Sequence, residues 1–509
     1  MRSSFFLPAA LLLASAWMLN TTGPPGLPAP PSTLWADEST PRVVDKPAAA
    51  AAPPVAKRGD DDEYFDLLRL FADTLDQIDR NYVKEVSRRE LMEAAIEGLL
   101  SKLDAYSDYI PPDELETFKS GVESEFGGIG IQIGMEDGQL TVISPIFGSP
   151  AYRAGVLAGD RIVQIGDKST EGLSLDEAVR RLKGKVGTSV TMSVMHAHNA
   201  QEQTVTLERE MIQIDTVLGE RRRDDDTWDF MYDPQEKIGY IRLVAFGRDT
   251  ADKLTEALEE LQNQGLRGLV LDLRFNPGGL LTAAVEVSDL FLAKGVIVST
   301  AGRNTQQRLW EAQEAGSYLD FPLVVLVNNY SASASEIVAA CLQDHQRAVI
   351  VGERTWGKGS VQNVIELEEG RSALKLTTAG YQRPNGHNIH RFEGAADKDE
   401  WGVRPDKGFE VKLSPQETAR LLIVRRQRDI LQPKGAAENG EAAAAEKPAE
   451  ATAPDKEPAA TDRAKPAADQ DPSGNGDSNG NGKFVDRQLQ KALEHLRREL
   501  AKSPKDAAR

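Results

Sequence analysis

Apolar residues recur every three to four positions at Tyr64, Leu67, Leu68, Phe71, Leu75 and Ile78, and again at Leu91, Ala95, Ile96, Leu99 and Leu100. That period lines one face of an α-helix, so two amphipathic helices joined by a short loop are predicted. They end near Leu103-Asp104, and Pro111-Pro112 closes the region. The period then shortens. Gly127 to Ile133 alternates and turns, Asp160 to Gly166 reads as a strand entering a turn, and Val190 to Val194 and Thr204 to Leu207 complete a sheet. One helix interrupts it, Leu175 to Leu182, with Ser174 placed to cap it and Glu177 three residues further on.

From Lys237 onward strands and helices alternate. Strands are predicted at Ile238 to Leu243, Leu269 to Leu273, Leu323 to Val327 and Val349 to Val351. Helices fall at Thr250 to Gln262, after Asn276-Pro277-Gly278-Gly279 through Phe291, and at Ser333 to Asp344, with a hairpin from Val361 to Thr377. Successive strand–turn–helix units predict a layered α/β core. Between Gly435 and Gly482 there is no Val, Ile, Leu, Met, Phe, Tyr or Trp, so that stretch is expected to be disordered. Order is expected to resume from Phe484 to Leu500, where Val485, Leu489, Ala492 and Leu496 share a face. That helix should dock on the body or on a second subunit.

Composition narrows the classes. The 509 residues exceed one ordinary core, and 40% hydrophobic with 27% charged residues is the balance of a soluble globular protein. A net charge of -19 argues against a nucleic-acid partner. One cysteine, Cys341, permits no intramolecular disulfide, and its apolar neighbours make it a buried thiol. The six histidines lack metal-ligand spacing, so no metal and no cofactor are expected. Arg2, the apolar Phe5 to Leu19 and Ala14-Ser15-Ala16 read as an export signal, with an uncleaved membrane anchor as the alternative. The following Pro- and Ala-rich residues read as a flexible linker.

Three segments could carry chemistry. Asn329-Tyr330-Ser331-Ala332-Ser333-Ala334-Ser335-Glu336 joins a buried strand to a helix, where a hydroxyl stands near the positive end of the helix dipole. The alternative is a capping box from Ser333 to Glu336. Lys358, between Gly357 and Gly359 and near Trp356, would lose affinity for its proton if packed out of solvent, and could then accept a serine proton. A solvated surface lysine is the plainer reading. Asp272 to Gly279 could turn a backbone N–H at Gly279 toward a neighbouring site, forming an oxyanion hole with the N–H of Ala334, or could be an ordinary Pro-Gly turn.

Together these segments resemble the C-terminal processing peptidases, or tail-specific proteases, over roughly Tyr64 to Leu413. The resemblance includes Leu103-Asp104-x-x-Ser107 and the SASASEI and GERTWGKGSVQ motifs. It implies Ser333 as nucleophile, Lys358 as general base 25 residues later, and Gln362 as the residue orienting that lysine. Phe126 to Met211 resembles a PDZ domain, supported by Ser149-Pro150-Ala151-Tyr152-Arg153-Ala154-Gly155 and Gly159-Asp160. Gly128, Ile129, Gly130 and Ile131 would then be its carboxylate-binding loop. The chain departs from the family at Ala105, often Pro there, and in its long polar tail.

The expected fold is α+β and multidomain, with a crotonase-like α/β layered peptidase core. Its parts are a signal peptide or anchor at 1–20, a linker at 21–62, N-terminal helices at 63–123 and a PDZ domain at 124–211. The peptidase core at 212–433, a tail at 434–482 and a C-terminal helix at 483–509 follow. The implied activity is serine endopeptidase cleavage near the free C-termini of protein or peptide substrates, in the periplasm or another extracytoplasmic space. A homo-oligomer and a membrane tether stay open. So do two other classes, a non-catalytic PDZ adaptor and an acyl-CoA enzyme of crotonase type.

Overall fold

The computed structural model describes residues 42–45, 60–115, 118–119, 125–304, 306–431 and 484–502. The expected export signal, most of the linker and the polar tail lie outside the described residues. The core is built on a sheet ordered Val217–Leu218, Ile238–Leu243, Gly268–Asp272, Leu323–Val327, Ala348–Gly352, in which the last four strands run parallel. Parallel neighbours need crossovers, which the helices Thr250–Asn263, Leu281–Asp289 and Ala334–Asp344 supply.

Strand side chains alternate between faces, and here both faces are covered. Leu269, Leu271, Leu323, Val325 and Val327 pack with those three helices in one cluster. Val270, Val324 and Leu326 pack on the other side against Leu489, Ala492, Leu493 and Leu496 of the final helix, Arg487–Lys502. The C-terminal helix therefore docks on its own body. Val485 is about half exposed and does not share the buried face, because it precedes the helix. Cys341, the one cysteine, is fully enclosed within the Ala334–Asp344 helix, and burial pushes its thiol pKa up.

A second, antiparallel sheet runs Arg42–Asp45, Arg308–Ala312, Gly295–Ala301, Ser372–Gln382, Asp108–Ile110, with Ser360–Leu367 also paired to Ser372–Gln382. Part of the span read as linker is thus strand: Arg42–Asp45 adds to the free edge of Arg308–Ala312. The first helix also begins at Asp60, three residues before the expected boundary. Its helix, Asp60–Asn81, leaves Tyr64, Phe65, Leu67, Leu68, Leu70 and Phe71 exposed. The third sheet, Ile131–Glu136, Gln139–Pro145, Arg161–Ile165, Ser189–Met195, Glu202–Glu208, encloses its own core with the helix Leu175–Leu182. As predicted, Ser174 caps that helix by accepting the Glu177 N–H at 3.3 Å.

Candidate active site

The turn after Leu323–Val327 assigns different tasks to its three serines. Ser331 Oγ donates to the Leu273 carbonyl at 2.8 Å and Ser335 Oγ to the Asn276 carbonyl at 2.9 Å, so both fasten the turn to the 273–276 loop. Ser333, between them, has φ 55 and ψ -114, a conformation rare for a residue with a side chain. The buried Tyr381 phenol lies near its hydroxyl. The Glu336 carboxylate accepts the Ser333 N–H at 2.9 Å, while the Glu336 N–H goes to the Ser333 carbonyl at 2.8 Å.

Glu336 does more than cap. Fully buried, its Oε2 also accepts the Lys358 N–H at 2.8 Å, and its Oε1 accepts the Gly357 N–H at 2.7 Å and the Thr355 hydroxyl. One carboxylate oxygen therefore holds the backbone nitrogens of Ser333 and Lys358 together. Burial pushes the Glu336 carboxyl up, and these donors oppose the shift. A sequence pattern read locally shows only the capping role, because Thr355 to Lys358 lie about twenty residues away.

Lys358 is 1% exposed, and burial lowers its pKa to about 7, with Lys375 adding to the shift and Glu336 and Asp104 opposing it. The two glycines make this packing possible. A side chain at Gly357, where φ is 89, would strike Arg391 Cβ at 2.7 Å, and one at Gly359 would strike the His390 nitrogen at 2.3 Å. Trp356 plays a smaller part than expected, being 52% exposed with its indole N–H 3.4 Å from Tyr106 Oη. The Tyr106 ring instead covers the lysine, its centroid 4.9 Å from Nζ. Asp104 shapes that loop by accepting the N–H groups of Tyr106 and Ser107 at 2.7 and 2.8 Å. Gln362 donates to Ser360 Oγ at 2.9 Å and Thr377 Oγ1 at 3.1 Å.

In the 273–279 loop it is Gly278 that abuts the serine. A side chain there would strike Ser333 Cβ at 2.8 Å and the Ala334 nitrogen at 2.9 Å. The Gly278 carbonyl accepts the Phe246 N–H at 3.0 Å, so the trans peptide turns the Gly279 N–H away from Phe246. Ala334 opens its helix, where N–H groups lack intrahelical acceptors.

At the other expected site, Gly128 ends a strand paired with Glu210–Gln213, and Ile129 is buried. The Ile129 and Gly130 carbonyls accept the N–H groups of Ala151 and Ile146 at 3.0 and 2.9 Å. Ile131 begins the terminal strand of its sheet, beside the Leu175–Leu182 helix. Among the described residues, no group of His, Cys, Asp and Glu could hold a metal ion.

A PDZ-bearing peptidase is the class to which these parts correspond. Residues 237–407 match the peptidase family S41, 141–194 a PDZ domain, and 41–114 the activating protease CtpB N-terminal domain. A carboxy-terminal-processing protease of Bartonella bacilliformis is 38% identical over 366 residues, covering 69% of this chain and 79% of the relative. A carboxyl-terminal-processing protease of Synechocystis is 38% identical over 337 residues, covering 65% and 74%. The solved photosystem II D1 C-terminal processing protease shares 30% identity, covering 71% of this chain and 97% of its own, with a TM-score of 0.38. The chain belongs to the S41 family of carboxy-terminal processing serine proteases. The alternatives of a non-catalytic adaptor and an acyl-CoA enzyme fall with that finding.

Proposed function

We propose that this protease is exported, takes the C-terminal ends of substrates on its PDZ domain, and cuts near them with a Ser333–Lys358 dyad. The observation that carries the dyad is Glu336 Oε2, which holds the N–H groups of both residues while Lys358 is buried with a pKa of about 7. The neutral amine takes the Ser333 proton as Oγ attacks the scissile carbonyl. The oxyanion is held by the N–H groups of Gly279 and Ala334. The lysine ammonium then protonates the leaving amine, giving an acyl-enzyme ester and a free C-terminal fragment. Water, deprotonated by the same amine, hydrolyses the ester. Gln362, with its N–H groups given to Ser360 and Thr377, presents its oxygen as the acceptor that aligns the amine.

Substrate capture fits strand addition: the edge of Ile131–Glu136 pairs with an extended C-terminal peptide, whose carboxylate meets the N–H groups of the 128–131 loop. Export rests on Arg2 and the apolar Phe5 to Leu19, and no helix among the described residues is long and apolar enough to cross a membrane. The exposed apolar residues of Asp60–Asn81 favour a homo-oligomer. A fluorophosphonate probe should label Ser333 and block cleavage of an unstructured tail substrate. Ser333→Ala should take no label and show no turnover, whereas Ser331→Ala should keep the label. Turnover near wild type in Ser333→Ala would end the dyad.

A further inference from the structure

Asp272 closes the strand Gly268–Asp272 immediately before the loop that carries Gly278 and Gly279. Its carboxylate is fully buried and accepts the Tyr240 hydroxyl at 2.7 Å, the Arg274 Nη2 donor at 2.6 Å, and a hydrogen bond from Arg425. It also accepts the Arg274 backbone N–H at 2.9 Å, which folds the first turn of the loop. Arg274 is itself buried, and its guanidinium also meets the residues that open the final helix. There Asp486 grips it with both oxygens, at 2.9 and 2.8 Å, and Gln488 accepts from it at 2.9 Å. Asp486 is the residue before the final helix, and the same Oδ1 accepts the Leu489 N–H at 3.1 Å.

Two carboxylates and two guanidiniums thus neutralise one another out of solvent, a geometry in which loss of one partner leaves a buried charge exposed to an apolar interior. What they hold is narrow. Beyond Arg274, the Phe275 N–H meets Asn328 Oδ1 at 2.9 Å, and the Asn276 carbonyl accepts the Ala332 N–H at 3.0 Å. The first contact fixes the start of the serine turn and the second its centre. Arg425 also lies over the Phe275 ring, 5.4 Å from its centroid, where Phe275 has a φ of 63.

We infer that Asp486 is a positioning residue for peptide hydrolysis: by gripping Arg274 from the C-terminal helix, it sets the height of the 274–279 loop against Ser333. The final helix is then part of the apparatus that shapes the oxyanion site, although it touches no substrate. This inference rests on the reading of Ser333 as nucleophile and of the loop as oxyanion donor.

The test compares Asp486→Asn, Asp486→Glu and Leu496→Ala in the full chain. Leu496 packs the final helix on the sheet beside Gly268, at the other end of the strand from Asp272. Readouts are the melting midpoint, kcat and KM on an unstructured tail peptide, and affinity for a peptide boronate that mimics the tetrahedral intermediate. Small displacements in an oxyanion site are costly, so Asp486→Asn should lower kcat by about tenfold to a hundredfold with KM within about twofold. Boronate affinity should fall in parallel, and Asp486→Glu should recover part of both. Leu496→Ala should lower the midpoint but keep kcat. If Asp486→Asn fails to fold, Arg274→Lys, which keeps the charge and loses the two-pronged grip, is read the same way. A folded Asp486→Asn with wild-type kcat and boronate affinity overturns the inference, as does an equal kcat loss in Leu496→Ala. Wild-type protein that takes no fluorophosphonate at Ser333 would instead overturn the underlying reading.

Discussion

A lysine with a pKa of about 7 is half neutral at that pH, where an ordinary lysine is almost wholly charged. The groups facing Lys358 set this balance: burial and Lys375 favour the neutral amine, Glu336 and Asp104 the charged one, and the Tyr106 ring and His390 complete the wall. In the proposed dyad the neutral form is the base, so kcat/KM should rise with pH through about 7 and level above it; a limb centred near the ordinary lysine value would sink the assignment. Replacing the ring by Tyr106→Ala admits water to the amine, so the limb should move to higher pH. An unmoved limb would show that other walls do the desolvating. Lys358→Met keeps the length of the stem without the buried amine, and should be inactive with a melting midpoint at or above wild type. A midpoint several degrees lower would mean that the amine is structural.

The loops around the dyad are tighter than their helices and strands. A methyl at Gly359 would meet the His390 nitrogen at 2.3 Å and Asn388 Oδ1 at 2.6 Å. Gly359→Ala should therefore cost about 1–3 kcal/mol of stability and slow turnover by displacing Lys358; wild-type values for both in thermal melts and kinetics would contradict this. Regular elements of the core were legible from local pattern. Leu323–Val327 lies where its uninterrupted apolar run places it, and Ile238–Leu243 where its largely apolar run does, because both faces of a parallel sheet are buried. The roles of the serines were not legible from composition, since Ser331, Ser333 and Ser335 are chemically alike and differ only in what folds against them. The resemblance singles out Ser333, and the contacts set it apart from Ser331 and Ser335, whose hydroxyls are given to the 273–276 loop. Tyr106, Tyr381 and the clamp at Glu336 were missed because each acts on residues distant in the chain. Arg42–Asp45 was read as linker for the same reason: its partner strand lies more than 260 residues away.

At the scale of the whole chain, polar contacts among the described residues join the PDZ sheet to the core, among them an Arg426–Glu136 ion pair. The Leu431 N–H meets Ser144 Oγ at 3.2 Å, and Tyr152 Oη meets Asp226 at 2.5 Å. At the other end, Asp60–Asn81 presents an apolar stripe that a second copy would cover. Leu67→Glu with Phe71→Glu should reduce the mass measured by sedimentation and leave peptide binding to the PDZ domain intact; an unchanged mass would remove this helix as the contact. The enclosed Cys341 has a consequence of another kind. It is the chain's single cysteine and sits on the helix that begins just after Ser333, with a thiol that burial keeps protonated. Alkylating reagents reach it only when that helix opens, so the native chain carries its own clock for core opening. Mass spectrometry of one added label, with no engineered site and no background thiol, would time that opening, and slower labelling after acylation of Ser333 would reveal how firmly a bound acyl group closes the helix.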